Sequence, residues 1–299
     1  MNKLAPVLLF VYNRPDHARI TLDALSQNTQ ADQSELFIFS DGPKKEESGE
    51  KINSLREYIR KFKGFKNITI IERDSNYGLA RSVITGVSEI FKIYDKVIVV
   101  EDDLITSPNF LVYMNCLLDK YHDMLSIYSI SGYSFPIKLP PDCDSIYLAK
   151  RASSWGWGTW KNRWEDVDWN LLDFSSFIKN KDMINSFNKG GKDLTRMLKK
   201  QVNGKIDSWA IRWSYHHFKN NAFCIYPKIS KVHNIGQDNS GRHSIKTNKY
   251  KAILDTEKKF ELPDIDLTPN SLITKELQSF FNYTLFERVS WFIKRKLKF

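Results

Sequence analysis

The chain is poor in cysteine: three among 299 residues, Cys116, Cys143 and Cys224, odd in number and without C-x-x-C spacing. This excludes a disulfide framework and a cysteine zinc site, and it agrees with a reducing cytosol. No run of about 18 apolar residues occurs, so no membrane-spanning helix is expected. Residues 4 to 12 have the look of a signal-peptide core, but Asn13-Arg14-Pro15 stands where a small-residue cleavage site is needed, and the segment reads as a first strand. Neither G-x-G-x-x-G nor a P-loop lysine is present, which removes support for a Rossmann dinucleotide enzyme or a P-loop ATPase. Internal repeats and long low-complexity tracts are also missing.

What is present is a globular composition, 41% hydrophobic and 27% charged, with a formal charge of +10. That charge calls for an anionic partner: nucleic acid, a nucleotide diphosphate or an acidic membrane surface. The basic residues are dispersed and no RNA or DNA module appears, which sets nucleic acid aside.

Hydrophobic patterning predicts alternating strands and helices. Strands are expected at Pro6 to Tyr12, Leu36 to Ser40, Asn67 to Glu72 and from Lys96, with helices opened by Pro15, along Ile52 to Phe62 and along Val83 to Tyr94. This order predicts an α/β fold, a doubly wound, mostly parallel sheet flanked by helices with right-handed crossovers. Beyond it come a helix capped by Ser107-Pro108, short strands at Ser126 to Ser131 and Ser145 to Leu148, a loosely helical stretch over 170–205, a helix from Asp207 to Phe218 and a strand at Ala222 to Tyr226. Residues 233–250 read as a mobile basic loop, and Ser271 to Phe299 as a helix.

Lys96-Val97-Ile98-Val99-Val100-Glu101-Asp102-Asp103-Leu104 organises the rest. A buried parallel strand ends in three carboxylates, at the edge where open α/β sheets place ligands. Like charges so close are costly unless a cation neutralises them, and a divalent metal completed by nucleotide phosphates does so; a solvated turn with a helix N-cap is the alternative. Asn13, Arg14 and Asp41 fall on the same edge, Arg14 suited to phosphate and Asp41 to a base N–H or to an Asx-turn of its own loop. Asn76, Gly78 and Arg81 bring backbone N–H groups and a guanidinium to a helix mouth, an anion site. Trp155-Gly156-Trp157 offers flat faces for a sugar ring or forms a tryptophan-rich core corner; five of the eight tryptophans lie between Ala152 and Trp169. Asp207 is placed to be a general base or a helix N-cap, His233 and His243 to touch metal or phosphate or neither, and His216-His217 are structural.

Together these residues resemble a glycosyltransferase of the GT-A fold, of the N-acetylglucosaminyltransferase I type and of bacterial family 2-like sugar transferases. The resemblance runs from about residue 5 to 245 and is carried by VVEDDL with S-P-N-F, SSWGWGTW, the D-S-W at residues 207–209, and Pro227-Lys228-Ile229-Ser230. It implies that Asp103 binds Mn2+ (or Mg2+) on a UDP diphosphate, that Glu101 and Asp102 approach donor sugar and ribose, that Asp41 lies near uracil, and that the loop after Ser230 is a lid; of the loop histidines, His233 is taken as a second metal ligand. In that family the base is the acid beside the tryptophan; here Ser208 holds that place and Asp207 precedes it. The implied organisation is a GT-A domain over 1–250, divided into a nucleotide-sugar half (1–106) and an acceptor-side half (107–250), then a helical tail over 251–299. The implied activity is inverting, metal-dependent transfer from a nucleotide-sugar to a glycan or lipid-linked acceptor in surface polysaccharide or lipopolysaccharide assembly, in the cytoplasm. The basic end Trp291 to Phe299 would touch an anionic membrane or dock on its own domain. A sugar-phosphate nucleotidyltransferase and a non-catalytic carbohydrate-binding protein are the rival readings.

Overall fold

A computed structural model describes residues 3–44, 49–238, 247–264 and 267–282. Its first half alternates as expected: β1 (Val7–Val11), α1 (Pro15–Ser26), β2 (Glu35–Ser40), α2 (Gly49–Lys61), β3 (Asn67–Glu72), α3 (Leu79–Ile90) and β4 (Lys96–Glu101). The four strands are mutually parallel in the order β3-β2-β1-β4. Central β1 is buried at every position, and β4 from Val97 to Val100, because helices cover both faces. Edge strand β3 stays half-exposed. In α1 the buried residues Ala18, Thr21, Leu22 and Leu25 form one face, and α3 does the same with Ala80, Val83, Val87 and Ile90. All four strands thus end on one edge, which gathers their following loops.

After β4 the chain forms β5 (Leu104–Thr106), α4 (Phe110–Lys120), β6 (Ile127–Ser131), β7 (Ile146–Ala149) and β8 (Trp157–Trp160). It continues through α5 (Lys161–Trp164), α6 (Phe174–Phe177), α7 (Lys181–Phe187), α8 (Leu194–Val202), α9 (Trp209–Lys219), β9 (Phe223–Pro227) and β10 (Val232–Asn234). The sheet extends past β4 as β8-β6-β9-β7, while β5 and β10 pair as a separate antiparallel ribbon.

The structure corrects the reading of the tryptophan segment. Trp157 begins an internal strand that runs antiparallel to both β4 and β6, and it is fully buried. Strand alternation sends Trp157 to one face, where it stacks on Trp209 (centroids 4.9 Å) and Trp164 (5.6 Å), and Trp160 to the other, where its indole N–H donates to the Leu118 carbonyl at 2.9 Å. Gly156 allows the turn into this strand: its φ is 58°, and a Cβ there would lie 2.8 Å from Val232 Cγ1. So Trp157 and Gly156 are parts of the core, with no face open to a sugar.

His216 and His217 are structural, as expected. His217 is fully buried between the Ser129 hydroxyl (2.8 Å) and the Trp213 carbonyl (2.9 Å), and burial lowers its pKa to about 3, so it is neutral.

The C-terminal part differs from the expected tail. Residues 251–264 are largely irregular, and among the described residues of this part helix appears only in α10 (Ser271–Phe280); residues 283–299, with Trp291 to Phe299, lie outside the described residues. The irregular strap is fastened by Asp255, which accepts from Asn109 Nδ2 at 3.2 Å and pairs with the Lys231 ammonium, both charges being buried. Asp255→Ala would leave Lys231 buried without its counter-charge. It should cost about 3–5 kcal/mol, measured by denaturant unfolding; a loss below about 1 kcal/mol would reject this fastening role.

Candidate active site

The acids arrive together because β4 ends there. Glu101 is the last strand residue, opposite Phe10 of β1, and Asp102 and Asp103 form the turn into β5. Arg14, directly before α1, reaches across: its Nη2 donates to Asp102 and lies 2.9 Å from Asp103 Oδ2. Arg14, Asp102 and Asp103 are therefore brought together as expected, and the arginine bridges the two aspartates. Burial works against the Arg14 charge, but the two carboxylates outweigh it and hold its pKa above the ordinary value. Burial, then the charges of Asp103 and Asp102, push Glu101 up to about 8. Asp102 is pushed up to about 6 by burial, with Arg14 pulling it back and Asp103 adding to the rise. Among the described residues the three acids share one cation, Arg14, and the edge is short of positive charge.

The loops after β2 and β3 are arranged differently from the expectation. Asp41, 5% exposed, accepts from the backbone N–H of Gly42 (3.0 Å) and Tyr77 (2.9 Å) on one oxygen and from Gly78 (3.0 Å) on the other. The anion at the mouth of α3 is thus the protein's own Asp41, so the N–H groups of Tyr77 and Gly78 are not free for phosphate. Asn76 donates to the Gly42 carbonyl at 3.0 Å, and Arg81 lies 4.1 Å over the Tyr77 ring, with Arg73 4.3 Å away on the same ring. Asn76, Gly78 and Arg81 organise a loop; they do not form the expected anion site. Arg56, overlooked in the sequence, secures this corner by donating to the carbonyls of Ser40, Asp41 and Arg73. Nothing in its helical spacing distinguishes it from a solvated arginine.

The place beside Asp103 belongs to Asn234, not to His233. On β10 neighbouring side chains point to opposite sides, and Asn234 Nδ2 lies 3.5 Å from Asp103 Oδ1. His233 instead lines a cavity of about 330 Å³ with Gln237, Asp238, Asn248, Tyr250 and Lys251, and burial and Lys251 lower its pKa. Ile235 N–H donates to the Asp103 carbonyl at 2.9 Å, and Gly236 lies flat against the carboxylate, where a Cβ would fall 2.1 Å from Oδ2. His243 lies outside the described residues. Among the described residues no three His, Cys, Asp or Glu side chains form a group able to hold a metal ion. The carboxylates of Asp102 and Asp103 are hard oxygen donors of the kind Mg2+ and Mn2+ accept. They suit such an ion only if other oxygens complete its shell and Arg14 gives way.

Asp207 lies before α9. The helix N-cap is Ser208, whose hydroxyl accepts from Ile211 N–H at 3.4 Å, which leaves Asp207 exposed and paired with Arg212 at 2.9 Å. Stacking of Trp209 on Trp157, which lies opposite Val99, ties this helix start to the end of β4. Trp155 is half-buried, in edge-to-face contact with Tyr133 (4.6 Å) and Tyr250 (5.8 Å). Asn13 is half-buried at the same edge as Arg14.

The raised acids make stability depend on pH. A carboxyl whose folded pKa exceeds its unfolded value holds more protons in the native state, so unfolding free energy falls as pH rises through that interval. For Glu101 the interval runs from its ordinary 4.5 to about 8. Glu101→Gln should therefore gain stability relative to the parent as pH rises from about 5 to 8, read as a widening difference in Tm; a difference constant across that range would contradict the placement of Glu101.

Over residues 7–177 the sequence matches Glycosyl transferase family 2. No curated protein matches the chain. Among solved structures, Staphylococcus aureus TarS aligns with 77% of this chain and 36% of its own, at 9% identity and a TM-score of 0.41. The 1–349 fragment of TarS in complex with UDP aligns at 11% identity and 0.42, over 77% of this chain and 59% of its own. The mannosyltransferase PcManGT from Pyrobaculum calidifontis, solved with GDP-Man and Mn2+, aligns at 13% identity and 0.39, over 72% and 70%. The chain thus spans less than two thirds of either form of TarS. The family match covers more than half of the sequence, including every strand that ends at the acid edge, and the chain is a member of glycosyltransferase family 2, with the mixed α/β GT-A architecture.

Proposed function

We propose that the protein moves a sugar from a nucleotide-diphospho-sugar, UDP-linked, to a hydroxyl of a glycan or lipid-linked acceptor, with inversion, in surface polysaccharide assembly. The observation that carries this reading is the charge deficit at the end of β4, where Glu101, Asp102 and Asp103 face the single guanidinium of Arg14. A nucleotide diphosphate brought to this edge adds negative charge, so it needs cations that the described side chains do not supply. A divalent ion, Mn2+ or Mg2+, held by Asp103 with Asp102 and completed by diphosphate oxygens, would stabilise the charge of the departing nucleotide. Arg14, released from the aspartates, is within reach of the phosphates and favours them by charge-assisted hydrogen bonds. Glu101 and Asp102 face the donor sugar and ribose. Asn234 and Gly236 hold the segment after Ser230 against Asp103, and a lid carried by that segment would exclude water.

Asp207 completes the reaction. Its carboxylate is exposed and relieved of the capping role by Ser208, so it is available to accept the acceptor's proton. In-line attack of the resulting alkoxide from the face opposite the nucleotide inverts the anomeric carbon.

Incubation with a series of UDP-sugars and Mn2+, following UDP release, tests the reading. Formation of pyrophosphate from UTP and a sugar phosphate, in place of UDP release, would reject it in favour of nucleotidyl transfer. Asp103→Ala should abolish metal-dependent UDP binding in calorimetry; retained activity in excess chelator would remove the metal role. Asp207→Asn should keep UDP binding and lower transfer by about 10²–10⁴-fold, and a fully active Asn variant ends the base assignment. Gly236→Ala, by pressing on Asp103, should raise the UDP Kd about tenfold, worth about 1.4 kcal/mol; an unchanged Kd would show that the loop does not hold the carboxylate.

A further inference from the structure

A second cavity, of about 200 Å³, opens between the Ser153–Trp155 segment and α9 and is used by nothing described so far. At roughly 30 Å³ per water it has room for about seven water molecules, the scale of one sugar ring. Its walls are aromatic: Trp155, Tyr133, Phe135, Tyr250 and Phe281. Tyr250 also lines the cavity shared by His233 and Asn234, so the two spaces have that residue in common.

Two polar features distinguish this cavity from a packing defect. Ser214 of α9 is 4% exposed and lines it, and its hydroxyl has no hydrogen-bond partner among the described residues. A hydroxyl that borders a cavity without a protein partner is open to a ligand or a water. Arg151 also lines the cavity, but its charge is already matched by Asp193 through two hydrogen bonds of 2.9 and 3.0 Å, and its guanidinium lies flat on the Phe281 ring at 3.6 Å. A carboxylate or phosphate gains little from an arginine so neutralised, and an apolar chain leaves Ser214 unmet. An uncharged ring with C–H faces and hydroxyl edges satisfies both the aromatic walls and the serine.

Building on the transferase reading, we infer that this cavity holds the pyranose ring of the acceptor, uncharged, stacked against Trp155 and hydrogen-bonded by Ser214, at a subsite separate from the nucleotide. It lies on the α9 side, the helix whose start carries Asp207.

The test uses the full chain and a panel of methyl glycopyranosides, with methyl glucuronoside as the anionic control, monitored by saturation-transfer NMR. UDP affinity is measured in parallel. At least one neutral glycoside should bind, with or without UDP, and the glucuronoside should bind at least about tenfold more weakly, a difference of about 1.4 kcal/mol. Met197→Trp and, on the loop, Ser154→Trp should each abolish glycoside binding while leaving the UDP Kd unchanged. Competition by UDP-sugars would assign the ring to the donor and overturn the acceptor assignment. Glycoside binding that survives both substitutions, or a protein that binds UDP but no neutral glycoside, overturns the subsite alone. A protein that binds glycosides but not UDP leaves the subsite standing as a sugar site and overturns the transferase reading.

Discussion

The imbalance of charge at the end of β4 governs this structure. Glu101, Asp102 and Asp103 are placed by a strand buried from Val97 to Val100, and the described residues answer them with one cation, Arg14. Burial raises the cost of every unmatched carboxylate, so the edge is held in a state that favours protons or an added cation. The loops around it are arranged to keep the acids in place: Asn234 and Gly236 close on Asp103, and Asp41 is consumed in shaping the neighbouring loop.

The second half of the chain gives this edge its opposite wall. Strand β8 inserts Trp157 beside Val99, and Trp209 stacks on it, so the start of α9 is fixed relative to the acids by aromatic contact. Such contacts are large in area and stiff, and they hold the start of α9, beside which Asp207 is paired with Arg212 at 2.9 Å. The strap over 247–264 then folds back, with the Tyr250 carbonyl accepting from the Tyr133 hydroxyl at 2.7 Å and Asp255 paired to Lys231 just before the ribbon.

Much of the first half was legible in order. Continuous β-branched runs mean strands buried on both faces, and acids immediately after such a run must lie at the sheet edge, so the meeting of Arg14 with Asp102 and Asp103 follows from patterning. Roles within loops were not legible. Asp41 has the same sequence appearance whether it receives a ligand or its own backbone N–H groups, and Asn76, Gly78 and Arg81 were drawn into its loop for that reason. His233 and Asn234 are adjacent, and only the pairing of β10 with β5 decides which of them faces Asp103.

The sequence alone determined the alternation of strands and helices, the position of the acid trio and the tryptophan-rich composition of residues 152–169, because these depend on local periodicity and on which residues can be buried. Tertiary structure decided that Trp157 is core and Trp155 is cavity wall, that Ser208 rather than Asp207 caps α9, and that Ser214 lines a cavity. Those outcomes depend on which distant segments meet, and no periodicity within a short stretch of chain encodes the atoms that will lie across from it.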